Sequence, residues 1–243
     1  MHIVRYRSFD PGLNPRRTKL EVPGWAGARE ARQDGAMEQA WHCIPFSESA
    51  RYGIEIFYPH AVELRASTRA GKLVLDGDFG PPPPGHGGEW PPFRTFGDLY
   101  YTYQLSLDLK VDEGYALRVE PHPRFYTDPT STTPIAVPAL IRRWWPMVYF
   151  LVFKSPAEGR THVFRRGEPF AQFLVVPEEA EFELAPMSEE EAAERELQSR
   201  RIYQSRETLA ADSRWTSATD TVFDGTYRRI LGAAAGRAKK EKR

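Results

Sequence analysis

The chain has 243 residues, with 33 basic and 33 acidic side chains, 41% hydrophobic residues, 21 prolines and one cysteine. This length fits one large domain, or one core domain with appendages. A single cysteine excludes an internal disulfide and a secreted disulfide scaffold, so the cytoplasm is the expected location. The balanced charge argues against a dedicated nucleic-acid or membrane-surface binder, because such proteins concentrate basic side chains. The longest apolar run, residues 147–153, is also too short to span a bilayer.

The first 40 residues are rich in Arg, Gly and Pro and show neither a helical nor a strand period. We predict that they form an extended arm lying on the body or on a neighbouring subunit. Trp25 is the expected anchor because one indole buries a large area. A tail with an incidental tryptophan is the alternative.

Residues 41–185 carry the signals of a β domain. Apolar residues alternate with polar ones over residues 103–111, resume after the turn at 112–114, and continue over 115–119. This period of two indicates strands with one buried face, and the short turn predicts a hairpin. Further strands are predicted at residues 53–58, 62–64, 72–75, 147–153 and 170–176, with Phe182 and Leu184 closing the set.

One of these β segments, and the set as a whole, carry more specific expectations. Residues 147–153 are apolar at every position, which predicts a central strand covered on both faces. Several short strands separated by Pro and Gly turns indicate a sandwich or barrel, and hence a mainly β fold.

Residues 80–92 form a proline-rich insertion with four consecutive prolines. Proline favours the polyproline II conformation and cannot donate ladder hydrogen bonds, so this segment is predicted to be a surface loop. It is either a docking peptide for an aromatic-lined groove or a variable exposed insertion.

The composition changes after Pro186. Ser188 and Glu191 form a capping-box pattern that starts a predicted helix over about 189–211, with a thin apolar stripe typical of a surface helix. The helical C-terminal segment is expected over 186–232, including a short turn at 227–231. Residues 233–243 make a basic tail.

The sequence 142–145, Arg-Arg-Trp-Trp, combines two guanidiniums with two indoles. It could form a cation–π surface for an anionic or planar ligand or a protein partner. Alternatively, one tryptophan fills the core and the arginines form a solvated turn. A strand carrying further polar residues is expected nearby. The candidate ligand-binding residues are Arg118, Glu120, His122, Arg124, Arg142, Arg143, Trp144 and Trp145.

No short motif assigns a metal, a cofactor or a catalytic nucleophile. The six histidines lie outside any HExxH-type pattern, and Cys43 beside His42 is expected to be a small buried hydrophobe. P-loop, GxGxxG and GxSxG sequences are also missing. We therefore expect no metal and no cofactor, and the catalytic residues stay unassigned.

Residues 118–124, 139–145 and 164–173, taken in order, resemble elements of the deoxyuridine triphosphatase superfamily. The resemblance covers about a quarter of the chain and implies a β-clip-like sandwich or barrel, here with an N-terminal extended arm and a C-terminal surface helix. The chain also resembles an uncharacterised family of bacterial proteins, which implies a bacterial, intracellular origin and no particular activity.

The departures from the triphosphatase pattern concern its chemistry. Arg142 stands where the resemblance places the catalytic aspartate, while Trp144 and Trp145 replace a second acidic residue and the tyrosine that stacks on the sugar. Arginine cannot serve as a general base because it stays protonated. Residues 123–125 replace the phosphate-binding Arg-Ser-Ser, and the Gly-rich closing arm has no counterpart. The resemblance thus implies the fold without nucleotide hydrolysis by that route.

These observations predict a noncatalytic structural or binding module that assembles with itself or with a protein partner. The alternative is an enzyme acting on a small anionic metabolite or nucleotide near residues 142–145, with His122 as acid or base. In either case we expect no membrane and no nucleic-acid partner.

Overall fold

The computed structural model describes residues 3–8, 12–19, 44–82, 84, 89–105, 107–126, 128, 130–145, 149–209, 215–216 and 222–223. The chain divides into two units, residues 1–22 with 47–180 and residues 23–46 with 181–243. Trp25, His42, Cys43, the turn expected at 227–231 and the basic tail lie outside the described residues.

The described elements are predominantly strands. They are β1 (Arg5–Ser8), β2 (Arg16–Arg17), α1 (Ile44–Ser49), β3 (Ile54–Phe57), β4 (Leu64–Arg69), β5 (Lys72–Asp76), β6 (Phe93–Thr95), β7 (Tyr100–Leu105), β8 (Leu107–Lys110), β9 (Tyr115–Pro121), a 3-10 turn (Pro123–Tyr126), β10 (Ala139–Arg142), β11 (Tyr149–Lys154), β12 (Thr161–Phe164), β13 (Pro169–Pro177), α2 (Glu189–Leu209), β14 (Trp215–Thr216) and β15 (Val222–Phe223).

Antiparallel pairing joins the strands of the first unit into small sheets. The largest has the order β10-β9-β13-β3-β2, and two others have the orders β11-β7-β6 and β12-β4-β5, while β1 pairs with β8. In the second unit β14 pairs with β15. The predicted mainly β fold class is confirmed.

The β4–β5 hairpin shows how local sequence sets one of these pairings. Ala70 and Gly71 both have positive φ angles, 51° and 73°, which is the backbone of the two-residue turn that matches strand twist. The Glu158 carboxylate accepts hydrogen bonds from both turn amides, at 2.8 and 3.1 Å. The turn is therefore closed by a side chain distant in sequence.

The core of the first unit is built from aromatic rings. Phe93 stacks on Tyr103 with ring centroids 4.5 Å apart, and Tyr101 stacks on Phe153 at 5.2 Å. Phe164 contacts both pairs edge-on. Phe164 lies in the β12-β4-β5 sheet and the other four rings lie in the β11-β7-β6 sheet, so their burial joins these two sheets in one core.

The hairpin predicted across residues 112–114 is wrong. Both flanking strands form, but β8 pairs with β1 and β9 pairs with β10 and β13. Residues 101–105 of β7 are also buried on both faces, including Gln104 at 8% exposure. Alternation shows which residues are buried, whereas the identity of the partner strand depends on distant segments.

The predicted central strand at 147–153 is an edge of its three-stranded sheet. β11 pairs with β7 on one side, and its other side bonds to an irregular segment through Val152 O and Lys154 N. Phe150 is 40% exposed, with the Arg94 guanidinium 5.2 Å from its ring centroid. Phe150 can therefore point outward, because the arginine side chain lies over its ring. This contact accounts for an apolar residue on the outer face of an edge strand.

Two further expectations concern the ends of the β domain. Phe182 and Leu184 lie in no strand and are 78% and 89% exposed. The described part of the N-terminal arm lies on the body of the same chain as strands, since β1 pairs with β8 and β2 adds to the five-stranded sheet next to β3. Arg7 and Arg16 lie in these strands.

The predicted C-terminal helix is confirmed as α2. Ser188 Oγ accepts from the Glu191 amide at 3.2 Å, and the Glu191 carboxylate accepts from the Ser188 amide at 2.8 Å, which is the capping box. Its side chains over residues 189–200 are exposed. No helix among the described residues is long and apolar enough to cross a membrane.

Candidate functional site

The eight predicted site residues fall into two groups at opposite ends of β9. Arg142 pairs in register with Ala116 near the start of β9, whereas His122 follows its last residue. Six residues of extended strand separate these ends by about 20 Å. The structure therefore does not bring His122 and Arg142 together in one pocket.

A polar row crosses the largest sheet near the His122 end. In-register pairing places Glu120, Gln172, Glu55 and Arg16 side by side on β9, β13, β3 and β2. Residues directly opposite each other on paired strands share a face, so these four side chains lie in one row. Glu55 is 1% exposed and Gln172 is 7% exposed.

We define the buried polar cluster as Arg16, Thr18, Glu55, His122 and Gln172. Glu55 forms an ion pair with Arg16, and its Oε2 lies 3.2 Å from Nε2 of His122. Thr18 Oγ1 donates to Gln172 Oε1 at 3.2 Å, and the Thr18 amide donates to the Gly53 carbonyl at 2.8 Å. The N-terminal segment thus closes the cluster at the β2 edge.

The hydrogen bonds fix the tautomer of His122. Its Nδ1 accepts from the Arg124 backbone amide at 3.2 Å, so the proton lies on Nε2 and is donated to Glu55. Burial has the largest effect and raises the pKa of Glu55, but the hydrogen bonds from His122 and Arg16, with one from a backbone amide, together bring it below its ordinary value. Glu55 is therefore an ionised carboxylate at neutral pH.

The other predicted residues at this end are also engaged in ion pairs. Arg118 pairs with Glu120 at 2.6 Å, and Arg124 pairs with Glu168 at 3.0 Å. His122 is 3% exposed. A general acid or base must reach a substrate atom, and neither His122 nor Glu55 has the exposure to do so.

Sequence reasoning missed Glu55, which lies at the centre of the cluster. The available signal was a carboxylate in the apolar strand Ile-Glu-Ile-Phe, on the face opposite Ile54 and Ile56. A charged residue in such a strand calls for a partner, because an unpaired buried charge is costly. The partners, Arg16 and His122, are 39 and 67 residues away in the sequence and could not be assigned from it.

The second group, Arg142, Arg143, Trp144 and Trp145, forms what we call the tryptophan tip, where β10 ends in a turn. The Trp145 amide donates to the Arg142 carbonyl at 2.9 Å and closes this turn. The indoles are 66% and 52% exposed, their rings 5.9 Å apart and inclined at 48°. Neither tryptophan fills the core, so that alternative is wrong.

The arginines of the tip are paired with glutamates. Arg142 Nη1 lies 2.6 Å from Glu179 and 3.4 Å from Glu178, and the hydrogen bond with Glu179 raises the pKa of Arg142. Arg143 contacts Glu113 at 3.0 Å and Glu178 at 3.7 Å. Two guanidiniums therefore face three carboxylates.

A shallow pocket lies elsewhere in the first unit. It has about 310 Å³ of space, part of it open to solvent, and its lining includes Leu13, Pro15, Ile56, Phe57, Tyr103 and Leu105. None of the eight predicted site residues lines it.

The described residues contain no cluster of three or more His, Cys, Asp or Glu side chains suited to a metal. Another buried histidine, His162, shares a hydrogen bond between its Nδ1 and the Tyr101 hydroxyl, 2.8 Å away. Burial lowers the pKa of His162 to about 4, so the ring is neutral at physiological pH.

Among solved structures, dUTPases are similar to this chain at low sequence identity. No family model and no curated protein matches the chain. EIAV dUTPase is 8% identical, with 77% of this chain and 98% of that chain covered at a TM-score of 0.37. A mutant dUTPase from phage phi11 of S. aureus is 11% identical, with 77% and 99% covered at 0.38. The dUTPase of Staphylococcus bacteriophage 80alpha is 11% identical, with 77% and 90% covered at 0.35. The remote resemblance to dUTPases noted in the sequence is thus found again in the solved structures.

Proposed function

We propose that the chain is a noncatalytic binding module that assembles with itself through the tryptophan tip. The observation that carries this proposal is the pair of adjacent exposed indoles, Trp144 and Trp145, at 66% and 52% exposure. Tryptophan is enriched among the residues that dominate binding energy at protein interfaces, where its large ring is desolvated by the partner.

The pairing of the arginines supports a protein partner over an anion. Arg142 and Arg143 are surrounded by Glu113, Glu178 and Glu179, which leaves a local excess of negative charge. An incoming phosphate or carboxylate would have to displace these partners against like-charge repulsion. The small anionic ligand of the alternative hypothesis is therefore disfavoured at this surface.

The ion pairs also explain how the tip could present a defined surface. Each guanidinium bridges two carboxylates from other elements, since Glu113 precedes β9 and Glu178 follows β13. A turn held at its base loses less conformational entropy on binding than a free loop. This preorganisation supports a binding role for the two indoles.

The buried polar cluster supports the noncatalytic part of the proposal. Glu55 and His122 are 1% and 3% exposed and bond to each other. The N-terminal segment carrying Arg16, Thr18 and Lys19 bonds to Glu55 and Gln172, so a substrate approaching Glu55 from the β2 edge would have to displace it. Such a satisfied internal network contributes to folding and needs no ligand.

Sedimentation velocity over a range of protein concentrations tests the proposal. We expect the apparent mass of the wild type to exceed the 27.8 kDa of the monomer as its concentration rises into the high micromolar range. The double variant Trp144→Ala/Trp145→Ala should stay monomeric. Tyr52→Ala is a matched control, because Tyr52 is 74% exposed and precedes β3, which is separated from β10 by two strands of the sheet.

Two outcomes would contradict the proposal. One is a wild type that stays monomeric at every concentration. The other is a tip variant that assembles as tightly as the wild type and the Tyr52→Ala control.

A further inference from the structure

The tryptophan tip offers unused hydrogen-bond donors as well as ring faces. The indole N–H groups of Trp144 and Trp145 have no hydrogen-bond partner among the described residues. Indole nitrogen donates but does not accept. A complementary ligand therefore combines flat apolar groups with carbonyl acceptors and brings no competing donors.

The same chain carries a segment with this chemistry. Pro81, Pro82 and Pro84 are described and exposed. Proline has no backbone N–H, so a proline run presents carbonyl acceptors and pyrrolidine rings only. Recognition of such runs by surfaces rich in aromatic residues follows from this complementarity and from the low entropy cost of ordering them.

The two ends of the proline-rich insertion bond to each other, and the second end also bonds to β7 and packs on His60. The Trp90 indole N–H donates to the Gly80 carbonyl at 2.8 Å, and the Gly80 amide donates to Asp78 at 3.1 Å. On the other side, the Glu89 amide donates to Gln104 Oε1 at 2.7 Å. Pro81, Pro82 and Pro84 therefore project from a fixed base.

We propose that the prolines of one copy, Pro81, Pro82 and Pro84, dock on the tryptophan tip of a second copy. The indole N–H groups would donate to proline carbonyls, and the inclined rings would receive the pyrrolidines. This inference rests on the proposed function and names the partner of that surface.

A second copy is the favoured occupant because each chain carries one tip and one proline segment. Within one chain both Trp144–Trp145 and the described prolines are exposed. The contact joins different patches on the two copies, so two copies can exchange it reciprocally or several can close a ring.

The test is complementation between two variants. Pro81→Ala/Pro82→Ala/Pro84→Ala removes the proline segment and leaves the tip. Trp144→Ala/Trp145→Ala does the reverse. For each variant alone, the dissociation constant of self-association should rise at least about tenfold, since truncating an interface hot spot has effects of this size. A mixture should form a two-chain complex, because one intact tip meets one intact proline segment.

The outcomes separate this inference from the proposed function. If the tip variant is monomeric but the proline variant assembles as the wild type does, the proline partner is wrong and the tip proposal stands. If both variants are monomeric, the mixture forms no complex and a peptide spanning residues 79–86 does not bind the proline variant, the pairing of the two surfaces is overturned. A wild type that never assembles overturns both.

Two controls keep the experiment interpretable. Both variants should unfold with the wild-type midpoint in thermal denaturation, because the altered side chains are exposed. A fluorescently labelled peptide spanning residues 79–86 should bind the proline variant but not the tip variant, as measured by anisotropy. Equal binding to both variants would contradict docking at the tip.

Discussion

The buried polar cluster and the tryptophan tip lie at opposite ends of β9 and differ in what they leave exposed to solvent. In the cluster, Glu55 is 1% exposed and every partner comes from the same chain. At the tip, the charges are also paired within the chain, but Trp144 and Trp145 are left exposed. A satisfied buried network indicates a role in stability, whereas exposed apolar rings on an anchored turn indicate a role in binding.

The largest effect on stability is expected from Glu55→Ala. This change leaves His122 and the Lys19 amide without their acceptor and Arg16 without its ion pair. Removing one partner of a buried ion pair is costly, because the other partner is left without compensation. We expect the free energy of unfolding to fall by about 3 kcal/mol, which is small for a buried pair because Arg16 can rehydrate. Urea denaturation measures it.

Glu113→Ala is the control for that change at the tip. Glu113 is 84% exposed in its side chain, so loss of its pair with Arg143 should alter the unfolding free energy by about 0.5 kcal/mol or less. Equal effects of the two substitutions would abolish the distinction between the regions.

The next largest effect is a dependence of stability on pH through His162. The unfolded imidazole takes up a proton near its ordinary pKa of 6.5, whereas the buried ring does so only near pH 4. The unfolded state therefore binds more protons in this window, and stability falls as the pH is lowered. We expect a loss of about 2 kcal/mol between pH 7 and pH 5.

His162→Gln tests the origin of that dependence. Glutamine keeps an acceptor for the Tyr101 hydroxyl but does not titrate. Denaturation at the two pH values should show a smaller difference in the variant by about 2 kcal/mol. An unchanged pH dependence would show that another group is responsible.

A smaller effect is expected from Gly53→Ala beside the buried polar cluster. An added Cβ would lie 2.4 Å from Gln172 Oε1, which must shift and break its hydrogen bond with Thr18. We expect a loss of about 1.5 kcal/mol, as for modest overpacking. In Thr18→Val, where that bond is already missing, Gly53→Ala should cost less, and equal costs in both backgrounds would argue against the shared contact.

The smallest effect on stability is expected from Trp144→Ala/Trp145→Ala. Both rings are largely solvated in the single chain, so the unfolding free energy in dilute solution should change by about 0.5 kcal/mol or less. Chemical denaturation at low micromolar concentration checks this. A loss of unfolding free energy as large as that of Glu55→Ala would show that the two tryptophans stabilise the fold of the single chain.

Local patterns predicted much of the fold. Alternation located β8 and β9, and the Ser188–Glu191 capping box located α2. Strand partners were not predictable, because β8 pairs with β1 from more than 90 residues earlier in the chain. The uniformly apolar residues 147–153 suggested a central position because the sequence does not show that Arg94 covers Phe150.

The sequence predicted only part of the candidate site, because contacts between distant segments cannot be read from local patterns. The sequence drew attention to Arg142 and Trp144 because four unusual residues are adjacent there. It left open whether a tryptophan fills the core, because that depends on the packing of distant strands. It also grouped His122 with Arg142, and the register of β9 with β10 separates them.

Hydrogen–deuterium exchange of the wild type at low and high protein concentration tests the role of the tip most directly. Self-assembly through the tip predicts that peptides covering residues 139–145 gain protection as concentration rises, while peptides covering 54–58 keep the same protection. Assembly accompanied by protection elsewhere, with residues 139–145 exchanging equally at both concentrations, would contradict it.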